Sequence, residues 1–87
     1  MSNLIVTVGS VTTAVRLEKQ LNNAGDLNAV VIHTPPAINS GGCSYSVKTS
    51  ARNLSFVKQV IADKRIKVRK FYTEEFKNGE SVYNALS

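Results

Sequence analysis

The sequence predicts an α+β fold, a four-stranded antiparallel sheet with two helices on one face, and three observations predict it. Four short runs, near residues 4–8, 29–33, 43–48 and 67–72, are β-branched or alternate in polarity. Two other segments, Val11 to Ala24 and the stretch around Phe56 to Ile61, repeat apolar residues at helical spacing. The order is strand, helix, strand, strand, helix, strand, in a chain of 87 residues, which is one domain's length.

Leu4-Ile-Val-Thr-Val8 is the first strand. Gly9-Ser10 ends it, and the Ser10 hydroxyl is placed to accept a hydrogen bond from an orphan N–H of the first helical turn. Ala14, Leu17, Leu21 and Ala24 then form one apolar face, with Arg16, Lys19 and Gln20 largely off it. Gly25 stands where a helix end favours a left-handed residue. Ala29-Val-Val-Ile-His33 is the second strand, stopped by Thr34-Pro-Pro36, because proline cannot donate to a sheet ladder. From Cys43 to Lys48 polarity alternates, with Cys43, Tyr45 and Val47 on one side. The polar stretch from Thr49 to Asn53 supplies caps for a second helix that ends near Asp63-Lys-Arg65. Lys67 to Tyr72 is charged and reads as an edge strand. These elements place one α+β domain at residues 1–73 and a C-terminal tail at 74–87. In the tail, Phe76, Val82, Tyr83 and Leu86 pack as a weak helix or belong to a mobile terminus, and they are expected to dock on the chain's own sheet or on a second copy.

That order is the split-βαβ, ferredoxin-like βαββαβ arrangement, with strand order 4-1-3-2. It brings three connections to one edge of the sheet: Gly9-Ser10, the loop from Pro35 to Gly42, and the basic stretch around Lys64 to Lys67. The first and third strands are then neighbours, so Cys43 is expected near Val8, Gly9 and the start of the first helix.

A chain this short buries roughly 60–65% of its unfolded surface, so the core is thin and a homo-oligomer would enlarge it. No apolar run approaches the ~20 residues that span a bilayer, which argues against a membrane partner. The start of the chain lacks the basic and apolar segments of a signal peptide, and the single cysteine forms no internal disulfide. Both point to the cytoplasm. The net charge is +5, and Lys64, Arg65, Lys67, Arg69 and Lys70 crowd together. Such a cluster fits either an acidic partner or a solvated strand edge that resists aggregation.

The chemistry open to the chain is narrow. One Cys and one His fall short of a structural zinc site, and there is no Cys-x-x-Cys or phosphate loop. No cofactor or metal is called for. RNA-binding sheets stack bases on aromatic residues of two central strands, and the first strand here has none, which argues against nucleic acid. Cys43 follows Gly41 and Gly42, whose amides can form an anion-binding nest, and it is predicted near a helix N-terminus that favours a thiolate. The competing reading makes Cys43 a small core residue beside Tyr45 and Val47, and the residues alone favour it. His33 is a base for that thiol or, as nothing supplies an orienting third group, a strand-end histidine.

The segment Val31-Ile-His-Thr-Pro-Pro-Ala-Ile-Asn-Ser-Gly-Gly-Cys-Ser-Tyr-Ser-Val47 resembles the core of the Se/S carrier protein-like family, small single-domain bacterial proteins. The resemblance extends to the first strand, to the Ala-x-x-x-Glu-Lys pattern at Ala14 to Lys19 and to the second helix, roughly Leu4 to Tyr72. It implies that Cys43 carries sulfur or selenium as a persulfide-like adduct, and the loop sequence and the topology put Gly41, Gly42, Ser44, Gly9 and Ser10 around that adduct. It also implies donor and acceptor proteins, which Lys64, Arg65 and Lys67 would attract. Any catalytic part would be at most that of a sulfurtransferase-like accessory. The alternative function is a non-enzymatic adaptor or regulatory module that binds a protein through its sheet face or basic end.

Overall fold

The computed structural model describes residues 2–25, 27–39 and 44–86. The chain forms β1 (Asn3–Val8), α1 (Val11–Gly25), β2 (Val30–His33), β3 (Tyr45–Ser50), α2 (Leu54–Lys64), β4 (Lys70–Lys77) and β5 (Glu80–Leu86). Short 3-10 turns occupy Pro36–Ile38 and Ala51–Asn53. All strand pairs are antiparallel, in one five-stranded sheet of order β2-β3-β1-β4-β5.

The expected four-stranded, ferredoxin-like sheet of order 4-1-3-2 is therefore corrected. A fifth strand lies beside β4, which is thus interior and not the expected edge strand, and residues 73–86 belong to a hairpin instead of a helix or a loose terminus. The cause is the turn Asn78-Gly79. Both residues take positive φ, 53° and 79°, the two-residue geometry whose twist suits a β-hairpin. Replacing Gly79 with alanine forces a Cβ into that conformation, although no neighbour crowds the site. The expected cost is about 1 kcal/mol, read as a lowered urea midpoint with an unchanged slope.

Two local expectations also change. Gly25 is not left-handed; it closes α1 within the helix and abuts the ring of Phe56. The left-handed helix end is at Arg65, with φ of 53°. Its N–H reaches the Ala62 carbonyl at 3.3 Å, and the Ile66 N–H reaches that of Ile61 at 3.0 Å. Ile66 is thereby tucked into the core, and the chain crosses to β4 through residues 67–69. The fourth strand accordingly begins three residues later than its charge pattern suggests, at Lys70.

Along β1 the side chains alternate. Leu4, Val6 and Val8 join Val47 of β3 beneath Ala14, Leu17 and Leu21 of α1 and Val57 and Val60 of α2. Both helices thus cover one face. Each buried Leu or Val contributes about 1.5–3 kcal/mol relative to exposure. The other face bears no helix. There Ile5 is fully buried between its register partners Lys48 and Tyr72. Glu74, also on this face and only 5% exposed, accepts hydrogen bonds from Asn3 and Tyr83 and pairs with Lys48.

Candidate functional site

The site is built where β1 gives way to α1. Ser10 is the N-cap of α1: its hydroxyl accepts the Thr13 N–H at 3.2 Å and lies 2.9 Å from the Thr13 hydroxyl. Its carbonyl accepts the Ala14 N–H at 3.1 Å. The remaining N–H groups of the first turn give this end a partial positive charge.

The path into β4 runs alongside. The Arg69 N–H donates to the Thr7 carbonyl at 2.8 Å, which sets the approach of the two segments. The Arg69 guanidinium consequently lies over Gly9, where a Cβ would meet its Nε and Nη2 at 3.3 Å. A residue without a side chain suits this contact. Gly9, Ser10 and Thr13 on one side and Ile66, Lys67, Val68 and Arg69 on the other line an open cavity of about 550 Å³. Its floor is apolar and its rim holds two cations and a helix start.

The structure brings three of the predicted residues, Gly9, Ser10 and Lys67, onto this cavity. Lys64 and Arg65 stand apart from its lining. Both are exposed at the end of α2, and the Lys64 carbonyl accepts the Arg16 guanidinium at 2.7 Å, which ties the helices together. Arg69 and Thr13 belong to the cavity although sequence reasoning did not select them as site residues. Arg69 was visible only as one charge among five, because its place over Gly9 follows from the β1–β4 register.

On the opposite flank the β1–β3 register ends at the pair Val8–Tyr45, and Gly9 and Ser44 are the next residues of the two segments. The Ser44 carbonyl accepts the Thr34 N–H at 2.9 Å. Beneath it, the buried hydroxyls of Thr34 and Ser46 are 2.6 Å apart. These bonds fix both stems of the loop between β2 and β3. Its proline turn is closed by Ile38 N–H to the Pro35 carbonyl at 3.0 Å. Cys43, Gly41 and Gly42 lie outside the described residues. His33 is exposed and its ring rests against Tyr45, with centroids 5.2 Å apart.

Among the described residues the one ion pair is Lys48–Glu74, on the helix-free face. No cluster that would hold a metal occurs among the described residues, and no helix there is long and apolar enough to cross a membrane.

Comparison with known proteins gives one result. Neither the curated proteins nor the solved structures yield a match. A family model matches residues 3–73, from β1 into β4, and stops short of β5. Matching most of its length, the chain belongs to the family described as "Putative Se/S carrier protein-like".

Proposed function

We propose that this chain is a sulfur or selenium carrier that holds its cargo on the sulfur of Cys43. Family membership supports the carrier role. The observation that carries the assignment to Cys43 is the basic cavity at the edge where the loop stems end. Ser44, the residue after Cys43 in the chain, directly precedes Tyr45, the partner of Val8, and Gly9, which follows Val8, lies under the Arg69 guanidinium. A thiolate or a persulfide anion is stabilised by such a helix start and such cations.

The chemistry is two exchanges. The Cys43 thiolate attacks the terminal sulfur of a donor persulfide; the new S–S bond forms as the old one breaks, and the donor leaves as a thiolate. An acceptor thiolate then attacks the terminal sulfur on Cys43 and regenerates the Cys43 thiolate. Each step moves one sulfur atom without net oxidation. With selenium the transferred atom changes and the electron count does not. Donor and acceptor are proteins with acidic docking faces, steered by Lys64, Arg65 and Lys67.

The test uses the double variant Lys67→Glu/Arg69→Glu. Alkylation of the folded wild-type thiol is expected to inflect below the free-thiol value of about 8.5. In the variant the inflection moves upward, and association with an acidic partner slows at low salt. Identical profiles for the two proteins, or a wild-type thiol that reacts only on unfolding, would overturn the proposal and favour the adaptor reading.

A further inference from the structure

The two edges of the sheet are treated differently. The β2 edge is short and its backbone is occupied by α1. The Glu18 carboxylate accepts the Val31 N–H at 3.0 Å, and the Asn22 side chain takes both the N–H and the carbonyl of Ala29, at 2.8 and 3.0 Å. Among the described residues the β5 edge has none of this. It is seven residues long, contains no lysine or proline, and its one charged residue, Glu80, is the first. Long edges without such protection are templates for another strand.

The hairpin register says which groups are offered. Lys77 and Glu80 flank the two-residue turn and form a hydrogen-bonded pair. Alternation then turns the N–H and carbonyl groups of Ser81, Tyr83 and Ala85 away from β4.

We propose that two copies of this chain pair antiparallel through β5, about a twofold axis at Tyr83. The strand is self-complementary under that operation. Tyr83 meets its own copy, and Ser81 of each copy meets Ala85 of the other. About six backbone hydrogen bonds would close the seam. The side chains agree with the backbone. On the helix-free face, Ser81 pairs with Phe76 and Ala85 with Tyr72. Tyr83 therefore stands at the centre of the seam with the small residues Ser81 and Ala85 on either side of it, and the rings of Phe76 and Tyr72 flank it. Phe76, 64% exposed in a single copy, would gain an apolar neighbour across Ser81 and Ala85. The twofold axis points the two basic cavities in opposite directions, so each stays open to a docking partner.

The full chain should sediment as a dimer whose fraction rises with concentration. Ala85→Pro removes an outward N–H while leaving the β4 ladder, so it should yield a monomer with unchanged far-UV dichroism. Ser81→Lys/Ala85→Lys places like charges opposite each other twice and should weaken the dimer about tenfold. Ser81→Lys/Ala85→Glu places opposite charges there and should restore it. A wild-type monomer at millimolar concentration would overturn the proposal, as would a dimer that withstands Ala85→Pro or one that weakens equally in both charge variants.

Discussion

Incubating the folded chain with a sulfane-sulfur donor is expected to add the mass of one sulfur atom to the wild type and nothing to Cys43→Ala. The contrast is all-or-none because the sequence contains one cysteine, so a persulfide has one address. The rate carries further information. Lowering a thiol pKa by one unit from about 8.5 raises the thiolate fraction at pH 7 roughly eightfold. Intrinsic nucleophilicity falls at the same time, with a Brønsted slope of about 0.4–0.5, so the net gain is only about threefold. On the proposed carrier function, cations at that edge would act less by speeding attack than by holding the anionic adduct and steering its partners. A loaded wild type should lose its sulfur to an added acceptor thiolate and recover its starting mass. An equal mass gain in Cys43→Ala, or a wild type that gains none while folded, would sink the carrier assignment.

Local signals survived the passage from sequence to structure where one residue decides the geometry. Ser10 reads as an N-cap from its position after a strand, and its hydroxyl performs that task. The apolar spacing of Ala14, Leu17 and Leu21 predicts the buried face of α1. Phe76, Val82, Tyr83 and Leu86 also fit a sparse helical spacing, so apolar periodicity alone does not reveal the fifth strand. The decisive signal was the pair Asn78-Gly79 between two alternating stretches, a strong mark of a hairpin. The candidate site was legible in part. Lys67 was apparent as charge, and the pairing of the first and third strands, which ends at Val8 and Tyr45, follows from the expected order of the central strands. The position of Arg69 over Gly9 depends on a register that no local pattern encodes. Glu74 was illegible for a related reason. Its partners come from β1, β3 and β5, and Asn3 is 71 residues away. One of two adjacent acids, Glu74 and Glu75, at the start of an apparent tail gives no sign that donors from three other strands will converge on it.

That convergence makes Glu74 the polar residue whose loss should most destabilise the helix-free face. One carboxylate oxygen accepts the Asn3 amide at 3.0 Å and lies 3.3 Å from the Lys48 ammonium; the other accepts the Tyr83 hydroxyl at 2.9 Å. Burial acts to raise the pKa of Glu74, but the hydrogen bonds from Asn3, Tyr83 and Lys48 and the charge of Lys48 outweigh it, and the value falls below 4.5. Burial, and then the bond to Glu74, raises the pKa of Tyr83. Glu74→Ala leaves these donors without their acceptor and loosens β5, which Tyr83 ties to the sheet. The expected loss is about 3 kcal/mol, with Lys48 supplying the smaller share because its side chain is 34% exposed. The sign of the pH effect follows from the lowered pKa. The unfolded chain binds the proton more readily, so this stabilisation is fully present above pH 4.5 and is lost as pH falls through the folded value. Glu74→Gln, which keeps an acceptor of the same shape, should cost about 1 kcal/mol at neutral pH. Its stability should also decline less steeply than that of the wild type below pH 4.5. Urea denaturation across this range checks both. A Glu74→Ala midpoint equal to the wild type, or parallel acid profiles for wild type and Glu74→Gln, would show that the network adds nothing to the fold.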